Sequence, residues 1–441
     1  MRCAVLLLCL PWVSFEADLP KAPAAELHDL TAEPGFFTEP SIAVNPRAPQ
    51  QVVAAFQDNA HISFSTDAGR HWQAASGIAP SNYRVSGDVS VTYDNRGRAI
   101  LCYMAFDKLG RYGYWAYGAT RNGLFIRRSL DGGRTWEKDH IPVIEHPTEA
   151  NMPWEDKPYI VADDTNGPHG GNLYVGWTRW SLTDSRILLS RSTDGGKQWS
   201  TPVEVDAIPG LPRDDNGALE GFSGAVDRNG TLYVVWSANN HIQLASSRDG
   251  GRTFSRPRDI LKTGPTMFHI ENFSRGNGFP QIAADRRSGR LFVAWSDYVN
   301  GDFDVLCSAS SDGGVTWTPP VRVNSDPVHD GADQFFQWMT VDPANGDPYV
   351  LFYDRRCDPD DRKQIVTLAR STDHGRSFTN YAWTERPFET NEQVFMGDYS
   401  GIAAFGSRVY GAWTERPETS GQLKSKGTTV RVGVADFNSS R

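Results

Sequence analysis

Six octapeptides of one pattern punctuate this chain: Ser65-Thr-Asp67-Ala-Gly69-Arg-His-Trp72, Ser129-Leu-Asp131-Gly-Gly133-Arg-Thr-Trp136, Ser192-Thr-Asp194-Gly-Gly196-Lys-Gln-Trp199, Ser247-Arg-Asp249-Gly-Gly251-Arg-Thr-Phe254, Ser310-Ser-Asp312-Gly-Gly314-Val-Thr-Trp317 and Ser371-Thr-Asp373-His-Gly375-Arg-Ser-Phe378. The frame is Ser-x-Asp-x-Gly-x-x-aromatic, and successive aspartates lie 64, 63, 55, 63 and 61 residues apart. Such a period on β-type sequence points to a repeat architecture. A short Asp side chain accepts hydrogen bonds from backbone N–H groups ahead of it and closes a turn. The Gly supplies a positive φ without a Cβ clash. The aromatic opens the next strand and buries its ring between neighbouring sheets. The octapeptide therefore reads as a structural hairpin turn, and its aspartates are assigned no chemistry.

Around each octapeptide the same order of events recurs. An apolar run comes first, at 41–45, 89–94, 159–163, 223–227, 281–285, 338–342 and 401–405. A turn follows, such as Asn229-Gly230, Ser288-Gly289 or Asn345-Gly346, and such dipeptides favour hairpins. A second strand, a third leading into the octapeptide and a fourth leaving it complete the repeat. Four short antiparallel strands per repeat, without helical periodicity, predict an all-β propeller with one blade per repeat. The octapeptides count six blades and the first-strand runs count seven. We expect a seven-bladed β-propeller, with six blades plus an accessory hairpin as the alternative. The last repeat has strands at 401–405, 408–413 and 428–436, and its fourth is expected from residues near 25–35. Closure by both ends of the chain removes free sheet edges. Residues 25–441 then form a single domain.

Composition supports a large core, with 14 Trp and 12% aromatic residues among 441. The net charge of −9 argues against nucleic acid as the main partner, because a phosphate-binding surface needs a basic excess. Residues 1–24 read as a leader: Met1-Arg2 precedes the apolar run 4–10, which resembles the centre of a secretory signal, and Ala22-Pro-Ala24 is the nearest small-x-small site. The expected location is secreted or periplasmic, and the expected state a monomer. No run is long enough for a transmembrane helix. Of the five cysteines, Cys3 and Cys9 lie in the leader, Cys102 and Cys307 in apolar strand patterns, and Cys357 in a charged loop. This spacing is neither a disulfide framework nor a metal site. No cofactor and no metal are expected.

The up-down strand order puts the octapeptides on one face and the longer, chemically richer loops on the other. The loop 107–117 carries four aromatics, suited either to stacking on a sugar or to packing on itself. Residues entering the inner strands are often acidic: Glu39, Asp88, Asp156, Glu220 and Asp398. In a propeller they converge on the central channel. There they bind sugar hydroxyls or a cation, supply paired carboxylates, or merely cap strand ends.

The octapeptide resembles the Asp-box, or BNR repeat, of the sialidase superfamily, and the resemblance extends over residues 37–436. It implies a Tyr nucleophile supported by a Glu, an Asp acid/base, and three arginines on the substrate carboxylate. Gly397-Asp398-Tyr399-Ser400-Gly401-Ile402 is similar to the family's Tyr-Ser segment and makes Tyr399 the nucleophile. Glu220, ahead of Gly221-Phe-Ser-Gly-Ala-Val-Asp-Arg-Asn-Gly230, matches the supporting Glu, and Asp58 stands where the acid is expected. The arginines depart from the pattern. Thr38-Glu39-Pro40 replaces the family's Arg-Ile-Pro, and Trp236 stands where a second Arg should follow the Glu. Without bidentate arginines a carboxylate sugar loses its anchor. Arg84, Arg179, Arg275 and Arg355 are the candidates for a rebuilt site. The sequence-based expectation is a sialidase-like glycoside hydrolase of diverged specificity, acting on an extracellular glycan or glycoconjugate. A non-catalytic binding propeller is the rival. A polysaccharide lyase using His146, His269 or His329 with a tyrosine is third.

Overall fold

The computed structural model describes residues 19–57, 60–75, 83, 85–108, 119–148, 152–417 and 427–438. Among them there is no α-helix, and the strands form seven four-stranded antiparallel blades. The inner strands are Thr38–Val44, Val85–Tyr93, Trp154–Ala162, Glu220–Val226, Gln281–Asp285, Gln334–Val341 and Gly401–Phe405. Each touches the next, and the last touches the first, so the ring is closed. The seven-bladed expectation holds, and the six-bladed alternative does not.

The closing blade is built from both ends of the chain. Its order is Gly401–Phe405, Arg408–Glu415, Thr429–Asp436 and then Glu26–Asp29 as the outermost strand. Glu26 pairs with Val434 and Asp29 with Arg431. Just before that strand the chain is tied to blade six: Ala22 N–H donates to Ala382 O at 3.0 Å, and Ala382 N–H to Pro20 O at 2.9 Å.

The core is a series of sandwiches between neighbouring blades. Ile100 and Leu124 of blade two pack with Ile160 and Trp177 of blade three. Ile42 and Val52 of blade one pack with Ala412 and Val432 of blade seven, which seals the ring. Serines near the channel add polar ties. The backbone N–H of Val91, Ile160 and Ile282 donates to the Oγ of Ser41, Ser90 and Ser223 in the preceding blade, at 3.0, 3.0 and 3.1 Å.

The octapeptides form the turns between third and fourth strands. In the copy around Asp131, Ser129 Oγ donates to Asp131 Oδ1 at 2.9 Å and accepts from Gly133 N–H at 2.9 Å. Asp131 Oδ1 also accepts from Thr135 N–H at 2.9 Å, and Thr135 Oγ1 donates to Oδ2 at 2.6 Å. Trp136 folds back so that its indole N–H meets Gly133 O at 3.0 Å. The Ser is thus as integral to the turn as the Asp. These turns touch the first turn of the preceding blade, as where His169 Nε2 meets Arg248 O at 3.1 Å. Both sets therefore share one face and leave the other to the longer loops. Cys102 and Cys307 are buried free thiols and Cys357 is exposed. No helix among the described residues is long and apolar enough to cross a membrane.

Candidate functional site

On the face opposite the octapeptides, five of the seven inner strands enter the channel through β-bulges. The register shifts between Thr38 and Ser41, Gly87 and Ser90, Asp156 and Tyr159, Glu220 and Ser223, and Phe335 and Trp338. In each bulge one residue is left-handed: Glu39 at φ 53°, Asp88 at 45°, Lys157 at 51°, Gly221 at 73° and Phe336 at 61°. Bulges re-aim side chains, and a non-Gly residue held there costs about 1–3 kcal/mol, a strain that gathers at functional sites. Three of the four strained non-Gly residues are charged.

They meet in one buried cluster. Lys157 Nζ lies 3.1 Å from Asp156 Oδ2, 3.4 Å from Glu220 Oε2, 3.5 Å from Asp214 Oδ1 and 3.6 Å from Asp398 Oδ2. Arg275 enters from the hairpin Met267–Phe268 and Gly276–Asn277, between blades four and five. Its guanidinium grips both oxygens of Asp398 and reaches Asp214 Oδ2 at 2.7 Å. Glu39 Oε1 accepts from Asp398 N–H, and Asp88 Oδ2 from Lys157 N–H, both at 3.0 Å. Glu39 and Glu220 are 2% exposed and Asp88 is 3% exposed. Arg275, partly exposed with its guanidinium 5.4 Å from the Phe395 ring centroid, closes the cluster toward solvent. Beneath lies a small, mostly apolar channel cavity of about 30 Å³, walled by Tyr399, Lys157, Tyr159, Phe279 and Trp338.

Six carboxyl groups thus face two cations, and like charges this close cannot all ionise. Burial, then Asp88, raises Glu39 well above the usual carboxyl range. Burial also holds Glu220 well up, with Asp214 adding to the effect and Lys157 opposing it. Burial and then Asp156 push Asp88 up to about 7. Burial would raise Asp214 too, but Lys157 and Arg275 beside it bring its carboxyl well below the usual range. Burial opposes the Lys157 charge, yet Asp156, Asp214, Glu220 and Asp398 raise its ammonium well above the usual value. Burial, then Asp88 and Glu39, pushes the Tyr399 phenol well up. Its hydroxyl is sealed from solvent without a hydrogen-bond partner.

The structure therefore brings Tyr399, Glu220, Glu39, Asp88, Asp156, Asp398 and Arg275 to one centre. It holds Arg179 and Arg355 in other pairings: Arg179 Nε with Glu155 Oε1 at 2.8 Å, and Arg355 NH1 with Asp361 Oδ2 at 3.3 Å. Asp58, Arg84 and the span 109–118 of the aromatic loop lie outside the described residues. The three histidines have separate settings: His146 meets Glu155 at 2.7 Å, His269 faces Glu271 at 3.7 Å, and His329 contacts Asn300 O. Sequence reasoning missed Lys157 and Asp214. A signal for Lys157 was present, because Lys157-Pro158 repeats the Glu39-Pro40 position of blade one. Asp214 belongs to a loop without a repeat counterpart.

Comparison with known proteins places these features in a family. The BNR repeat-like domain model matches residues 183–405, half of the chain. A xyloglucanase from Paenibacillus sp is 26% identical over 308 residues, covering 63% of this chain and 26% of that protein. A sialidase from Micromonospora viridifaciens is 24% identical over 388 residues, covering 81% of this chain and 51% of that protein. A sialidase from Bacteroides fragilis is 25% identical over 224 residues, 44% of this chain and 36% of that protein. The chain thus spans about a quarter to a half of the length of these relatives. Among solved structures, the GH93 α-L-arabinofuranosidase of Fusarium graminearum in complex with arabinobiose superposes with a TM-score of 0.50 at 14% identity, covering 82% of this chain and 96% of that one.

Proposed function

The chain belongs to the BNR repeat-like family of sialidase-like propellers, and from that premise we propose that it is a carbohydrate-active glycoside hydrolase of diverged specificity. The observation that carries this reading is the convergence of Tyr399 and Glu220 on one carboxyl-rich centre, held by strained bulges on the loop face. Relatives named as sialidases and a xyloglucanase support a glycan as substrate. The arginines support a substrate other than sialic acid. Arg179, Arg275 and Arg355 already serve carboxylates of the protein itself, so no described candidate is held ready for a carboxylate sugar. An uncharged glycan fits this centre better. The apolar run 4–10 supports export, to the periplasm or beyond, and we take the working form to be a monomer.

The test is a panel of uncharged and sialylated oligosaccharides offered to wild type and Tyr399→Phe. We expect wild type to hydrolyse an uncharged member, and Tyr399→Phe to bind it without turnover. One observation favours a second reading, a binding propeller: the centre is closed over by the ion pairs of Arg275. Saturable binding that is unchanged in Tyr399→Phe, with no hydrolysis by wild type, would establish that reading instead.

A further inference from the structure

Away from the channel, the seam between blades seven and one holds a cavity of about 270 Å³. One wall is the segment 30–33, which follows Glu26–Asp29, the outermost strand of blade seven. The other wall belongs to blade one, from its second strand, Val52–Gln57, through its third, His61–Ser65, to its fourth, Gln73–Ala75. Side chains alternate between the two faces of a strand, and the packing tells which face this is. Val53, Ala55, Ile62 and Phe64 pack toward blade two. Val52 and Ala54 pack toward blade seven. Phe56, His61 and Ser63 therefore point toward blade seven and into the seam, with Ser63 directly across from Ala54. Phe56 and the exposed His61 imidazole are stacked, with ring centroids 5.3 Å apart and planes 16° apart. Phe37 stands edge-on to both, at 5.7 and 5.2 Å. Ser63 is 3% exposed, and its hydroxyl bonds to no other described residue. Across the cavity Thr31 Oγ1 is buried without a partner, and the exposed Glu33 lines the same wall.

We infer that this seam cavity is a second glycan site, which takes one neutral pyranose ring. A cavity of about 150 Å³ holds a benzene ring, so this larger one admits a six-membered ring with its hydroxyls. The wall chemistry selects among occupants of that size. A buried hydroxyl left unpaired is costly, and a purely apolar occupant would seal the Ser63 and Thr31 oxygens in that state. A pyranose offers an apolar C–H face to Phe37 and Phe56 and hydroxyls to those two oxygens. Ligand sites combine apolar walls with a few placed polar groups in this way. The Glu33 carboxylate repels a carboxylate sugar. The seam and the channel cavity share no lining residue. The inference goes beyond the hydrolase reading and stands whether or not the channel centre turns over a glycan.

The test follows the His61 imidazole signal of the whole chain by NMR, with His61→Ala assigning it. The neutral probes are methyl β-D-glucopyranoside and methyl β-D-xylopyranoside, the anionic probe is methyl β-D-glucuronide, and the apolar probe is indole. We expect a saturable shift with a neutral glycoside and a weaker one with the glucuronide, and Glu33→Gln should narrow that gap. Ser63→Leu fills the cavity and should abolish the shift. Ser63→Ala removes only the hydroxyl and should weaken binding by about 3- to 10-fold, the range for one hydrogen bond, and it gives the reading if Ser63→Leu does not fold. Tyr399→Phe, at the channel centre, should leave the His61 shift in place, so a failed hydrolase reading and a failed seam site are told apart. A shift with indole and with no glycoside would make the cavity an apolar site and overturn the inference. No shift with any probe, or a glycoside shift that survives in folded Ser63→Leu, would overturn it as well.

Discussion

At the residue scale the centre of this protein depends on Lys157, one ammonium within 3.6 Å of four carboxyl groups. Breaking a buried ion pair by removing one partner leaves uncompensated charge and costs about 3–5 kcal/mol. Lys157→Met should destabilise the fold by that order at pH 7.5, and by clearly less at pH 5, where the raised carboxyls of Asp88 and Glu220 carry protons. Urea titrations at the two pH values check this, and an equal loss at both would show that the ammonium is not what the acids require. Asp88 gives a second pH signature. Its folded value near 7 lies above its unfolded value, so between these two values the folded state binds more protons than the unfolded. Stability contributed by this group is therefore present at low pH and lost as pH rises through about 7. Asp88→Asn should flatten that part of the stability profile. These residues were only partly legible in the chain. The acids entering the inner strands stood out by their recurrence, whereas the left-handed bulges that turn Glu39, Asp88 and Lys157 inward did not. No Gly marks those three positions, because the packing of neighbouring blades imposes the conformation that local preference resists.

At the element scale the octapeptide turn is the repeated unit of construction, and all six copies use the same Ser–Asp–Gly wiring. Asp194 accepts from Ser192 Oγ at 2.8 Å and from the N–H groups of Lys197 and Gln198 at 3.0 Å each. Those two N–H groups lie near solvent, so water replaces part of what the carboxylate provides. Asp194→Ala should then cost about 1 kcal/mol, the low end for a lost hydrogen-bond partner, with glycan binding unchanged. A thermal melt read beside a binding isotherm checks both halves. A variant that melts like wild type but binds no glycan would mean that the turn belongs to the site. The turn was legible because its wiring is entirely local, within eight residues. The ties between blades were not, since Ser41 Oγ and Val91 N–H are fifty residues apart.

At the scale of the whole molecule, closure is carried by one short strand, Glu26–Asp29, against Thr429–Asp436. Removing residues 19–30 would uncover that edge and the N-terminal ties to Ala382 and Asp436. Exposed edge strands recruit other chains. We expect the shortened chain to melt at lower temperature and to self-associate with rising concentration in sedimentation experiments. A shortened chain that associates no more than the full one and melts at an unchanged temperature would show that closure rests on the core between blades one and seven alone.

The chain by itself determined the propeller, the seven inner strands and the turn that ends each third strand, because all of these follow from periodicity and from contacts within a few residues. It also determined that Tyr399 and Glu220 would enter inner strands on one face, since strand order alone sorts the faces. Only the tertiary structure decided which side chains meet. Asp214 and Arg275 come from loops with no repeat counterpart, and Arg275 is 123 residues from its partner Asp398. Burial by neighbours distant in sequence is what makes six carboxyls compete for two cations, and no local pattern encodes that competition.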